Sequence, residues 1–145
     1  DAYRYNLRGI PGIEFMPEAP SRRSTFWLTC ILVDPVLFGA TAEDIRLYLE
    51  AHNVEARPVW KPMHLQPVFQ HCRLRGGAVT TDVFRRGLCL PSGCGLEAAD
   101  VDYVASLVRE LHEGVHKRHV TGAIPSAQET NGSPTPALET QRGKP

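Results

Sequence analysis

VWKPMHLQPVF, residues 59–69, is too interrupted for a helix and makes a poor strand. Pro62 and Pro67 each remove a backbone donor and fix φ, so no regular ladder or helical turn runs through the segment. Yet it carries a tryptophan, a lysine, a methionine and a histidine close together. One reading is a rigid loop that presents Lys61 and His64 to an anionic or hydroxyl-rich ligand, with Trp60 and Met63 as apolar walls. The other is plain connection: Trp60 and Met63 pack on a sheet, while Lys61 and His64 stay in water. Arg57, just upstream, has the same two faces. It is either a bidentate clamp for a carboxylate or phosphate or a surface ion pair with Glu55 or Glu50.

On either side of this segment the sequence alternates strand and helix signals. DAYRYNLRGI reads as a helix end, with Tyr3 and Leu7 four apart and Gly9 and Pro11 as stops. It suggests a chain entered partway through a larger protein. PGIEFMPEAP supplies at most a short edge strand between its prolines. STFWLTCILVDP, 24–35, predicts a buried strand and PVLFGA a turn. TAEDIRLYLEAHN carries the clearest helix start: Thr41 caps the N–H of Asp44, acidic residues suit the first turn, and Ile45, Tyr48, Leu49 and His52 make a face. Asn53 suits a left-handed stop.

After VEARPVW resumes extended structure, QHCRLRGGAV reads as loop. TTDVFRRGL follows as a short helix capped by Thr80 or Thr81 and ended by Gly87, and CLPSGCG as a strand broken at Pro91. A long helix spans about 97–118, with Val101, Val104, Ala105, Val108, Leu111 and Val115 on one face. Beyond it, residues 120–145 lack aromatics and periodicity and are rich in Gly, Pro, Ser and Thr, which predicts a disordered tail behind a domain over 1–119. The element order predicts an α/β (α+β) fold: a small, mostly antiparallel sheet with helices packed on one face.

Composition narrows the function. Sixteen basic residues balance sixteen acidic ones, leaving a formal net charge of zero and no electrostatic case for nucleic acid or an anionic membrane. FWLTCILV, the longest apolar run, is far short of the roughly 20 residues that span a bilayer. A cytoplasmic protein is the expectation. The arginines at 22, 23, 73, 75, 85 and 86 read as solvated faces or an anion patch. There is no glycine-rich phosphate loop, H-E-x-x-H or G-x-S-x-G. His71, Cys72, Cys89 and Cys94 can be written as a zinc set, but without a C-x-x-C the spacing is poor. Cys30 reads as a small buried hydrophobe.

SRRSTFWLTCILVDP, then IRLYLEAHNVEARPVWKPMHLQPVF, then FRRGLCLPSGCGL resemble, in order and spacing, the C-terminal part of the DegT/DnrJ/EryC1/StrS aminotransferases, over roughly 1–116. The resemblance implies the small C-terminal domain of a pyridoxal-phosphate enzyme that aminates nucleotide-linked keto sugars. It also implies a missing partner, the large cofactor-binding domain. The Schiff-base lysine belongs to that large domain, so Lys61 is not its counterpart and no pyridoxal phosphate is expected on this chain alone. It places the 59–64 segment at the mouth of the active site, making Trp60, Lys61, Met63 and His64 candidates for substrate contact and Arg57 a candidate for the amino donor's carboxylate. Glu97 and Cys94 stand where relatives more often carry a small polar residue. The competing expectation is a non-catalytic binding module that keeps the small-domain fold. In either case a domain without its large partner exposes apolar surface and self-associates.

Overall fold

The computed structural model describes residues 1–120; the tail expected beyond lies outside the described residues. In chain order the elements are α1 (Ala2–Asn6), β1 (Ile13–Phe15), β2 (Thr29–Val33), α2 (Pro35–Phe38), α3 (Ala42–Ala51), β3 (Arg57–Pro58), α4 (Ala78–Arg86), β4 (Gly87–Leu90) and α5 (Ala98–Val120). The strands form one sheet in the order β1-β2-β4-β3, and every neighbouring pair is antiparallel. The small antiparallel sheet expected from the sequence is therefore present.

The sheet has two unlike faces. Ile31 and Val33 of β2 and Leu88 and Leu90 of β4 point into the main core, where they meet Tyr3 and Leu7 of the α1 region, Ile45 and Leu49 of α3, and Val104 and Val108 of α5. Side chains alternate along a strand, so Cys30 and Leu32 of β2 and Cys89 of β4 face the other way. Both edges are short and guarded by proline. Pro11 and Pro17 bracket β1, and Pro58 lies inside β3.

Several local expectations are corrected. The strand predicted from residue 24 begins only at Thr29. Upstream, Phe26 holds a positive φ of 48°, the Ser24 hydroxyl accepts from its N–H (3.1 Å), and the Ser24 N–H donates to Glu18. This bend turns Trp27 out of the sheet. At the strand start, the Thr29 N–H donates to Ser92 Oγ (2.8 Å), which in turn donates to the Leu90 carbonyl (2.8 Å). Residues 35–38, expected as a turn, close a single helical turn. Asp34 accepts from the N–H groups of Val36 and Leu37, Pro35 suits the first helical position, and Gly39 ends the turn in the left-handed region.

α4 starts at Ala78, ahead of the two threonines proposed as its cap. Gly77 occupies the cap position with φ 105°, and the Thr80 and Thr81 hydroxyls donate backwards to its carbonyl. Cys30 is half-buried on the second face, not a core residue. By contrast, the Thr41 cap on the Asp44 N–H and the left-handed Asn53 (φ 59°) are found as expected, and the Asp44 carboxylate, accepting from the Thr41 N–H, completes a capping box that was not.

Candidate functional site

The 59–69 segment folds into two consecutive 3₁₀ turns, Met63–Leu65 and Pro67–Phe69, each placed by a proline. It leaves β3 on the second face, where Val59 lies so close to Gly87 that a Cβ there would stand 2.5 Å from its side chain. From this anchor Trp60 reaches back over the end of β4 and stacks on Trp27, with ring centroids 5.9 Å apart and planes 29° from parallel. Both indoles remain largely in solvent, Trp27 at 72% and Trp60 at 65% exposure. These are the chain's only two tryptophans.

The pair borders a groove of about 390 Å³ lined by Leu28, Glu55, Arg57, Pro58, Cys89, Leu90, Pro91 and Ser92. That volume is in the range of small-molecule sites, and the walls combine aromatic surface with a few polar groups. Arg57 sits opposite Cys89 in the β3–β4 register. Its Nε and Nη2 both donate to Glu55 Oε1, at 2.8 and 2.6 Å, so the guanidinium is held at the rim but stays exposed.

The five residues singled out from sequence are thus only partly gathered. Arg57 and Trp60 line the groove. Lys61 and Met63 are exposed on the next few residues of the loop, outside the lining; Gln66 Nε2 donates to the Lys61 carbonyl (3.3 Å) and to Met63 Sδ (3.6 Å). His64 turns the other way, with Nε2 3.0 Å from Thr81 Oγ1 and its ring beneath Gly77. It ties the loop to α4, an arrangement that neither reading of the segment contained. Trp27, Glu55 and Ser92 were missed as groove residues. Trp27 comes to Trp60 only through the β2–β4–β3 strand order, which no local pattern encodes.

The residues of the zinc alternative are not assembled. Cys72 and Cys94 are exposed, Cys89 is buried against Cys30, and no group of three or more potential ligands occurs among the described residues. Nor do the described residues make a pyridoxal phosphate site, which calls for a sheltered amine, a carboxylate for the ring nitrogen and a phosphate cradle. Lys61 is solvent-facing, and Lys117 lies 3.8 Å from Glu113 on the outside of α5.

Residues 1–109 match the family model for the DegT/DnrJ/EryC1/StrS aminotransferases. The chain belongs to that family. It is 35% identical over 126 residues to EpsN of Bacillus subtilis (strain 168), covering 84% of this chain and 32% of that protein. With the GDP-perosamine synthase of Vibrio cholerae it shares 26% identity over 110 residues, 75% of this chain and 29% of the relative. Among solved structures it is similar to DesI in the presence of its TDP-sugar product, with a TM-score of 0.69 and 23% identity over 83% of this chain and 31% of DesI. That last likeness speaks for the fold. The chain spans about a third of the length of these relatives. Among the described residues no helix is long and apolar enough to cross a membrane.

Proposed function

We propose that this chain is the C-terminal small domain of a pyridoxal-phosphate-dependent aminotransferase acting on nucleotide-linked keto sugars. On this reading the groove beside Trp27 and Trp60 is its share of the substrate site, in the cytoplasm. The cofactor and its lysine come from a large domain, in the same or a separate chain, and this part alone neither holds pyridoxal phosphate nor transaminates. Family membership supports the chemistry. The observation that carries the site is an exposed, stacked tryptophan pair over a groove with Arg57 at its rim. Indole surface suits a flat base or the C–H face of a sugar, and a guanidinium suits phosphate or carboxylate oxygens. Lys61 and Met63 extend this surface outward along the loop, and His64 fixes its angle to α4.

Because both tryptophans border the groove, intrinsic fluorescence reports on it directly. Titration with UDP-, GDP- and TDP-linked hexoses is expected to give a saturable change with at least one nucleotide. Trp60→Ala should weaken that binding about fivefold or more, since stacking on an aromatic side chain contributes about 1–3 kcal/mol. No change with any of the three would sink the assignment.

The second reading, a binding module without catalysis, draws on the same absence of a cofactor set among the described residues. A chain that ignores a family large domain supplied in trans, and pairs stably with itself, would favour it.

A further inference from the structure

Cys30 and Cys89 are direct partners across the two central strands, with their Sγ atoms 3.5 Å apart. Their pair type follows from the backbone. The Met16 N–H donates to the Cys30 carbonyl and the Asp34 N–H to the Gly12 carbonyl, so Cys30, Leu32 and Asp34 direct their backbone polar groups towards β1. On the other side, the Val59 N–H donates to the Gly87 carbonyl, so Gly87 and Cys89 direct theirs towards β3. Cys30 and Cys89 are therefore a non-hydrogen-bonded antiparallel pair, the type with Cα atoms only about 4.5 Å apart and side chains closest. Disulfides span Cα separations of about 4.4–6.8 Å. The backbone separation of such a pair thus falls within the range a disulfide spans.

We propose that Cys30 and Cys89 form a reversible dithiol–disulfide couple, closed by peroxide, that links β2 to β4 and reshapes the wall of the tryptophan groove. Access differs between the two sulfurs. Cys30 is half-buried, on the face of the sheet turned away from the main core. Cys89 is 6% exposed. The more exposed Cys30 therefore reacts first, and burial, then the neighbouring Cys30 sulfur, pushes the Cys89 thiol up to about 12, which works in the same direction.

In the first step the Cys30 sulfur takes one oxygen from hydrogen peroxide. The O–O bond breaks, a sulfenic acid forms and one water leaves. In the second the Cys89 sulfur displaces that hydroxyl. The S–S bond forms and a second water carries away the Cys89 proton. Two thiols have lost two electrons and peroxide has become two waters.

The consequence for the groove is geometric. Cys89 is part of its wall, so closing the bond pulls that wall towards β2 and sets a disulfide near both indoles. As a device regulating ligand binding, the couple rests on the groove being the substrate site. The chemistry itself does not.

The test uses the full chain carrying Cys72→Ser and Cys94→Ser, which removes the two exposed thiols. After hydrogen peroxide, denaturation and alkylation, the expected product takes up no label, is two hydrogens lighter, and yields a linked peptide pair containing residues 30 and 89. Dithiothreitol should restore both thiols, and tryptophan fluorescence should fall and recover in step. Two thiols that still label, or one sulfur bearing oxygen while the other labels, would overturn the couple. A disulfide formed with unchanged fluorescence would overturn its link to the groove. In the same background Cys30→Ser should leave the Cys89 thiol intact under peroxide, and its loss there would overturn the order of attack. None of these readouts needs a nucleotide sugar, so their failure and a failure to bind one are separate results.

Discussion

Tyr3 has a buried hydroxyl with no hydrogen-bond partner. An unsatisfied polar group in a core works against stability. Tyr3→Phe, which keeps the ring, should raise stability by about 1 kcal/mol in urea denaturation; a loss of similar size would show that the hydroxyl is satisfied in solution. Burial first, and the charge of Asp100 second, push this phenol from 10 up to about 12. Above pH 10 the unfolded phenol ionises while the folded one resists. Its contribution is thus complete below pH 10 and lost as pH rises through about 12. The phenylalanine variant should show a shallower fall of stability over that window. At this scale the sequence was only partly legible. Arg57 and Trp60 announce themselves by type and by the prolines around them. His64 does not, because its partner Thr81 stands seventeen residues on, and its direction depends on how α4 docks.

Elements governed by neighbouring residues were the readable ones. α3 follows from Thr41 and Asp44, whose side chain accepts from the Thr41 hydroxyl (2.7 Å) and backbone N–H (2.8 Å) while the Thr41 oxygen accepts from the Asp44 N–H (3.1 Å). Thr41→Ala should cost about 1 kcal/mol at neutral pH. The Thr41 hydroxyl first, and its backbone N–H second, hold the Asp44 carboxyl below the ordinary aspartate range. That stabilisation is present above the unfolded value and lost as pH falls through the lower, folded one. The alanine variant should therefore lose less stability on acidification, as followed by circular dichroism; equal losses would contradict the capping box. α5 was legible from periodicity, although Leu107, which is also buried in the core, falls outside the expected face. α2 was missed because one helical turn has no period to read. Its signal was the Asp34 cap, the following proline and Gly39. β2 was overextended because apolar, β-branched composition says nothing of where the partner strand stops, and β4 ends at Leu90 opposite Thr29.

At the scale of the molecule, the two faces of the sheet differ in how they are closed. One is sealed by α1, α3 and α5, while the groove and the stacked tryptophans stand beside the other. Large exposed apolar side chains recur in the same two segments, including Phe26, Trp27, Trp60, Met63 and Val68. Surface of this kind marks an interaction site or drives association. Sedimentation velocity should show concentration-dependent self-association, reduced in a Trp27→Ser, Trp60→Ser chain. A wild-type monomer persisting to high concentration would refute it.

The prolines at the two sheet edges bear on how anything can meet this domain. An intruding strand needs a run of free N–H and C=O groups, and Pro58 interrupts β3 while Pro11 and Pro17 confine β1 to three residues. Backbone-to-backbone zippering is closed off on both flanks. A partner is left to meet this domain through side chains, and fibre-like stacking of exposed sheet is disfavoured at the same time.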